Sequence, residues 1–296
     1  MNSPVLRVGT RSSALALRQA DLAVEHLSRV RPGLVVDIVG ISTKGDRDKS
    51  TPFAELGTKA IFAHELQRAL FDDEIDVAVH SLKDLTGAEP EGLVIASVPE
   101  RADPRDVLVS REGATLGELA AGSVVGTSSV RREALIRAAR PDLRTAPLRG
   151  NVDTRLRKVA DGEVDAAILA AAGIVRLQRE GEITEWLDPS DFVPPPGQGA
   201  IAIEARAERV AGDLAWIVES QDDVARRSVD TERAFMEIVE GSCEVPLGAW
   251  ARPSDHEPSV IVFDAFVVGT SGEIARTRVR GSDPATVGAE AAHMLL

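Results

Sequence analysis

The chain has 296 residues, enough for two or three domains, and its 44% hydrophobic and 27% charged content is that of a globular protein. A net charge of −13 opposes binding of a long phosphate backbone, 3% aromatics with no Tyr leave little to stack on bases, and a single cysteine excludes an internal disulfide and any multi-cysteine metal site. The longest apolar run, 166–175, is far shorter than the roughly 20 residues of a membrane span, and no basic and apolar leader precedes Val5, so a cytoplasmic protein without nucleic-acid or membrane partners is expected.

In chain order, short β-rich runs alternate with amphipathic helices, the pattern of an α/β fold. Val5 to Gly9 reads as a strand, and Ser12 or Ser13 caps a helix to about Val30 with Leu15, Ala16, Ala20, Ala23, Val24 and Leu27 on one face. Val35 to Ile41 is a second strand, Ser42 to Leu56 a polar, mobile loop, and Ile61 to Phe71 a helix. Ile75 to Val79 reads as a buried strand that delivers His80-Ser81-Leu82-Lys83-Asp84 at its carboxyl end, where open α/β sheets bind ligands. Ser123 to Val125 is a strand that opens into Gly126-Thr127-Ser128-Ser129 and a helix. Pro194 to Gly199 is a rigid crossing, and the strand Ala200 to Ala205 follows. A third unit begins near Glu219. It holds a helix from about Ser228 to Val239, strands over 245–251, 260–268 and 274–279, and a last helix from Ala285. Gly9-Thr10 recurs as Gly126-Thr127, and Glu74-Ile75-Asp76 recurs as Glu163-Val164-Asp165, in the same order. That suggests two related lobes facing each other.

Charge is unevenly distributed. From Gly126 to Lys158 nine Arg or Lys face three acids, a local charge of +6 in an anionic chain, which suits a small polyanion. Exposed helix arginines ordinarily do no more than solubilise a surface. Here Gly126 to Arg132 and Leu148 to Arg155 each place hydroxyl or amide side chains and guanidiniums at a helix start, where free N–H groups favour carboxylates. Asp84 beside Lys83 can stabilise a developing cation, or it can serve as a plain turn residue. Cys243 can be a nucleophile or an inert thiol. His80 has no metal partner at ligand spacing, and neither Gly197-Gln198-Gly199 nor Gly57-Thr58-Lys59 completes a nucleotide loop.

Six collinear segments together resemble the porphobilinogen deaminase (hydroxymethylbilane synthase) family. They are Gly9 to Ala16, Val79 to Asp84, Gly126 to Arg132, Leu148 to Arg155, Pro196 to Gly199 and Gly241 to Cys243. Thr86 stands where the family usually has Pro, and His64 where it usually has Lys. The resemblance implies two lobes like those of type II periplasmic binding proteins plus a small C-terminal α/β domain. The expected boundaries are 1–98 with 200–218, 99–199, and 219–296. It also implies a dipyrromethane cofactor, one per chain, bound covalently to Cys243, and a monomer that joins four porphobilinogen molecules with loss of ammonia. Asp84 would be catalytic. Arg11, Ser13, Phe62, Ser81, Lys83, Thr127, Ser128, Ser129, Arg131, Arg132, Arg149, Gly150, Arg155, Arg176 and Gln198 would contact cofactor or substrate, with no metal. The competing expectation is a non-catalytic, two-lobed carboxylate-binding protein.

Overall fold

The computed structural model describes residues 5–42, 63–85, 88–240 and 246–296, without the side chain of residue 240. By contacts the chain forms two compact units: Met1–Ala102 with Ala200–Arg227, and Asp103–Gly199 with Ser228–Leu296. The expected loop at 42–56 and the departure at Thr86 lie outside the described residues, apart from Ser42 itself.

The first unit is built on β1 (Leu6–Arg11), β2 (Val36–Ile41), β3 (Val77–Ser81) and β4 (Leu93–Ser97), completed by β10 (Ile201–Arg206), in the order β2-β1-β3-β10-β4. β1 runs parallel to β2 and β3, whereas β10 is antiparallel to both its neighbours. Helix α1 (Ala14–Val30) starts where Ser13 Oγ accepts the Ala16 N–H at 3.3 Å, and its interior has no Gly or Pro. It buries Ala20, Ala23 and Leu27 against Val8, Val77, Val79 and Ile203. On the opposite face α2 (His64–Phe71) packs Leu66, Ala69 and Leu70 on Ile75, Ala78 and Leu93. β3 is therefore covered on both faces, which is why Val77, Ala78 and Val79 are all apolar and buried rather than alternating with polar residues.

The second unit repeats the plan. β5 (Asp106–Ser110), β6 (Val124–Gly126), β7 (Arg144–Ala146), β8 (Ala166–Ala170) and β9 (Glu185–Trp186) lie in the order β7-β6-β8-β5-β9, with β5 as the antiparallel member. The repeat extends to single atoms. Gly9 pairs with Ala78 and Gly126 with Ala167. A Cβ on Gly9 would stand 2.3 Å from the Ile75 side chain, and one on Gly126 would stand 3.1 Å from Val164, the residue equivalent to Ile75. Asp76 accepts the Arg7 N–H at 2.8 Å, and Asp165 accepts the Val124 N–H at 2.8 Å. The glycines thus leave room for side chains packed over these strands, and the two recurring sequence blocks occupy equivalent places.

Helices α3 (Val130–Ala139) and α4 (Val152–Ala160) begin at the caps Ser129 and Asn151. The ten-residue apolar run is divided between β8 and α5 (Ala171–Arg176). After the short α6 (Ala207–Val210), helix α7 (Asp223–Glu240) starts five residues before the expected Ser228, because Asp222 Oδ1 accepts the Ala225 N–H at 2.7 Å. Within the second unit, β11 (Leu247–Pro253), β12 (Ile261–Val268) and β13 (Ile274–Gly281) form an antiparallel meander. One face of the meander buries Phe235 of α7 edge-on against Phe263 at 5.5 Å. The closing helix α8 (Pro284–Leu295) packs on the same face through Val287 and Ala291. Phe266 and Val268 of β12 enter the core of the second five-stranded sheet beside Leu108 and Ile136. No helix among the described residues is long and apolar enough to cross a membrane.

Candidate active site

In the first unit, one turn of 3₁₀ helix, Leu82–Asp84, follows the carboxyl end of β3. Ser81, the last strand residue, is held by Gln19 of α1: its Oγ accepts from Nε2 at 2.8 Å and donates to Oε1 at 3.0 Å. Arg11 ends the adjacent strand, and its Nη1 lies 3.8 Å from Asp84 Oδ2, both side chains being half-buried. That separation is an ion pair beyond hydrogen-bond length, so the Asp84 carboxylate keeps its acceptor capacity. Among the described residues Arg11 is the ionic partner of Asp84. Lys83 is half-buried beside it, and Ser13 serves as the α1 cap. On the other face of β3, His80 Nε2 meets Glu204 Oε2 of β10 at 2.9 Å, and both are buried. His80 thus has an acidic neighbour that no local spacing displays. His64 is the exposed first residue of α2. Phe62 and Cys243 lie outside the described residues.

In the second unit the small hydroxyls first serve the backbone. Thr127 Oγ1 accepts the Ser129 N–H at 3.1 Å, and Ser129 caps α3. Ser128 Oγ donates to the Leu148 carbonyl and accepts the Leu148 N–H, each at 3.1 Å. Ser128 thereby ties the two arginine-bearing loops together. Gly150 has φ +115, a value favouring glycine, and its carbonyl accepts from Arg155 Nε at 2.8 Å. Arg149 is half-buried at the head of the same loop.

Five of the nine cations fall into two kinds. Arg137 pairs with Glu133 at 2.8 Å, Arg140 with Asp142 at 2.7 Å and Lys158 with Glu163 at 3.2 Å; these are surface pairs, as the plain reading of helix cations holds. Arg131 and Arg132 are instead buried and converge on Asp106, the fully buried first residue of β5. Burial pushes the Asp106 carboxyl up, but the two guanidiniums outweigh it and hold the group well below the usual carboxylate range. The stability this confers is present above the unfolded-state value and is lost as pH falls through the depressed one.

Arg176, at the end of α5, differs again. Nη2 donates to the Gly199 carbonyl at 2.6 Å, and no carboxylate pairs with it among the described residues. Burial pulls its guanidinium down to about 10, so it remains a cation at neutral pH in a partly dehydrated place. Gln198, two residues after Pro196, is fully buried and donates through Nε2 to the Pro104 carbonyl and to Asp106 Oδ1, each at 2.8 Å. Asp106, Gln19, Glu204 and Glu232 were not legible as site residues. Each makes its contacts across 19 or more positions of sequence, and no local motif marks them.

Two family models cover most of the chain. "Porphobilinogen deaminase, dipyromethane cofactor binding domain" matches residues 6–212, and "Porphobilinogen deaminase, C-terminal domain" matches residues 227–296. Among curated proteins, the porphobilinogen deaminase of Brevibacillus brevis is 43% identical over 98% of this chain and 93% of its own length. That of Bacillus subtilis is 40% identical over 98% and 92%. A solved structure with a looser likeness is the periplasmic aliphatic sulphonate binding protein SsuA from Escherichia coli. Its TM-score is 0.41 and its identity 19%, over 74% of this chain and 69% of that one.

Proposed function

Because the chain belongs to the porphobilinogen deaminase family, and so joins four porphobilinogen molecules head to tail into hydroxymethylbilane with release of ammonia, we propose how its residues divide that work. Each pyrrole of substrate and product carries an acetate and a propionate, so the growing chain is a polycarboxylate. The observation that carries the assignment is Arg176, a half-buried cation that ends on a backbone carbonyl and has no carboxylate partner among the described residues. Such a group favours an arriving carboxylate, since a charge-assisted pair offsets part of the hydration it has lost. Arg131 Nε, buried without a hydrogen-bond partner, supports the same reading. Arg11, Lys83, Arg132, Arg149 and Arg155 complete the set of carboxylate holders. Ser13, Ser81, Thr127, Ser128, Ser129, Gly150 and Gln198 shape the backbone and side chains around them, and we assign Phe62 to the incoming ring on the family resemblance alone.

The dipyrromethane cofactor supplies a pyrrole α-carbon on which chain growth starts, and we assign its attachment to Cys243. Loss of ammonia from porphobilinogen breaks the aminomethyl C–N bond. The departing nitrogen keeps the electron pair and takes up a proton, and an electrophilic azafulvene cation remains. Asp84, with Arg11 at 3.8 Å limiting its motion, is placed at a strand end where its charge stabilises that cation and its oxygens accept pyrrole N–H groups. The arginines bind carboxylates and leave the carbon chemistry to the pyrroles.

We also divide the chain into 1–98 with 200–218, 99–199 and 219–296, one sheet in each, and take it to be a cytoplasmic monomer without a nucleic-acid partner. The carboxylate-binding alternative leaves the C-terminal meander and the family match without a purpose.

Arg176→Gln is expected to leave the fold intact and to raise KM for porphobilinogen roughly tenfold, since one charge-assisted contact is worth about 1.5–3 kcal/mol. Steady-state kinetics and intact-mass profiles of enzyme-bound chain lengths test it. Unchanged KM and an unchanged profile would remove Arg176 from the carboxylate seat.

A further inference from the structure

Arg131 and Arg132 are consecutive on α3, so their side chains leave the helix about 100° apart and would not converge unaided. They converge because one carboxylate captures both. Asp106 Oδ1 accepts Arg132 Nη2 at 2.7 Å, and Oδ2 accepts Arg132 Nε at 3.2 Å together with Arg131 Nη2. Arg131 Nη1 is fixed separately on the Val193 carbonyl at 2.7 Å.

Asp106 is itself immobile. It starts β5, where it is paired with Ala170 of β8 and shows no exposed surface. Gln198 Nε2 donates to its Oδ1 at 2.8 Å. The preceding residue, Gly197, is held through its N–H by Glu232 Oε2 at 2.7 Å. Glu232 lies on α7, and its Oε1 accepts the Ala251 N–H of β11 at 2.9 Å. A buried polar chain therefore runs from the C-terminal meander through Gln198 to the arginine pair. Two donor nitrogens make no hydrogen bond: Arg131 Nε, buried and unpartnered, and Arg132 Nη1, which has no protein partner among the described residues.

We propose that Asp106 is a positioning residue of the reaction, fixing the spread of the Arg131 and Arg132 guanidiniums so that their remaining donors meet the carboxylates of the cofactor and growing chain. The proposal rests on the reading of those arginines as carboxylate holders. It adds a residue that touches neither cofactor nor substrate and acts only through the pair. Two cations sharing one anion also present a net charge of +1, enough to attract a carboxylate and still let it exchange as the chain lengthens.

The test is Asp106→Asn, with Asp76→Asn as a comparison. Asp76 is likewise a buried carboxylate shared by two arginines, Arg7 and Arg209, but it sits in the first unit at the strand end remote from Asp84. Both variants are expected to lower Tm. Asp106→Asn alone is expected to reduce the cofactor-bearing fraction, read by intact mass of the purified chain, roughly tenfold, and to raise KM of the loaded remainder about as much with kcat little changed. If Asp106→Asn loads fully and keeps the parent KM while its Tm falls as in Asp76→Asn, the role is structural and the proposal is wrong. Should Asp106→Asn fail to fold, Asp106→Glu keeps the charge and shifts the carboxylate by one methylene. Reduced loading then supports positioning, and parent-like loading with parent-like KM overturns it. Arg132→Gln separates the two levels of argument. Normal loading there defeats the arginine reading and the proposal with it. Impaired loading there beside normal Asp106 variants defeats the proposal alone.

Discussion

Replacing Cys243 with serine is expected to give a folded chain that carries no thioether-bound cofactor and has lost nearly all turnover. Cys243 is the only thiol in the sequence, so no second sulfur can take its place. A thiolate is the attacking form of cysteine and is accessible near neutral pH, whereas a serine hydroxyl without an adjacent base is a far weaker nucleophile. The fold should persist because the elements on either side are anchored independently. Val239 of α7 and Leu247 of β11 are both buried in the core of the meander. The parent should be heavier than its sequence by two linked pyrrole units and the variant should not be, with circular dichroism confirming the fold. A full-mass adduct on the serine variant would remove Cys243 as the attachment point.

The sequence made the lobes legible because their punctuation is local. Gly9 and Gly126 leave room for the side chains packed over them, and Asp76 and Asp165 accept backbone N–H groups of the neighbouring strand. The carboxyl end of β3 was likewise readable, since an apolar run ending in Ser-Leu-Lys-Asp marks a buried strand and the polar turn after it. Partners were not readable. Formal charge counted nine cations between Gly126 and Lys158, but a count cannot tell Arg137, satisfied by a surface glutamate one turn away, from Arg131, buried against an aspartate 25 positions earlier. Asp106 opens a short strand that follows Pro104 and Arg105, a context with no periodic signal. The His80–Glu204 pair joins strands 124 positions apart, because β10 returns to the first sheet only after the whole second lobe has been formed. Topology, rather than propensity, decides such contacts, and the internal repeat was the one sequence feature that carried topological information.

Asp84→Asn is expected to abolish turnover almost completely while leaving the fold and the bound cofactor in place. The substitution preserves shape and removes charge. Its structural cost should be small, because the carboxylate's ionic partner among the described residues is Arg11 at 3.8 Å, and a half-exposed pair at that distance contributes at most about 1 kcal/mol. Asp84 caps no helix among the described residues: the 3₁₀ turn that it ends begins at Ser81 without a side-chain cap. The chemical cost is of another order. The azafulvene cation and the transition states flanking it are the species that need a fixed negative charge most, and a contact of that kind is typically worth about 3–4 kcal/mol, or roughly a hundred- to thousand-fold in rate. Ground-state binding depends mainly on the arginines and should change little, so the loss is expected in kcat with KM nearly constant. Porphobilinogen consumption by the purified variant, with cofactor content checked by mass and Tm by calorimetry, measures all three quantities. A fully loaded variant that works within a few-fold of the parent would mean that Asp84 is only a turn residue and that the cation is stabilised by another group.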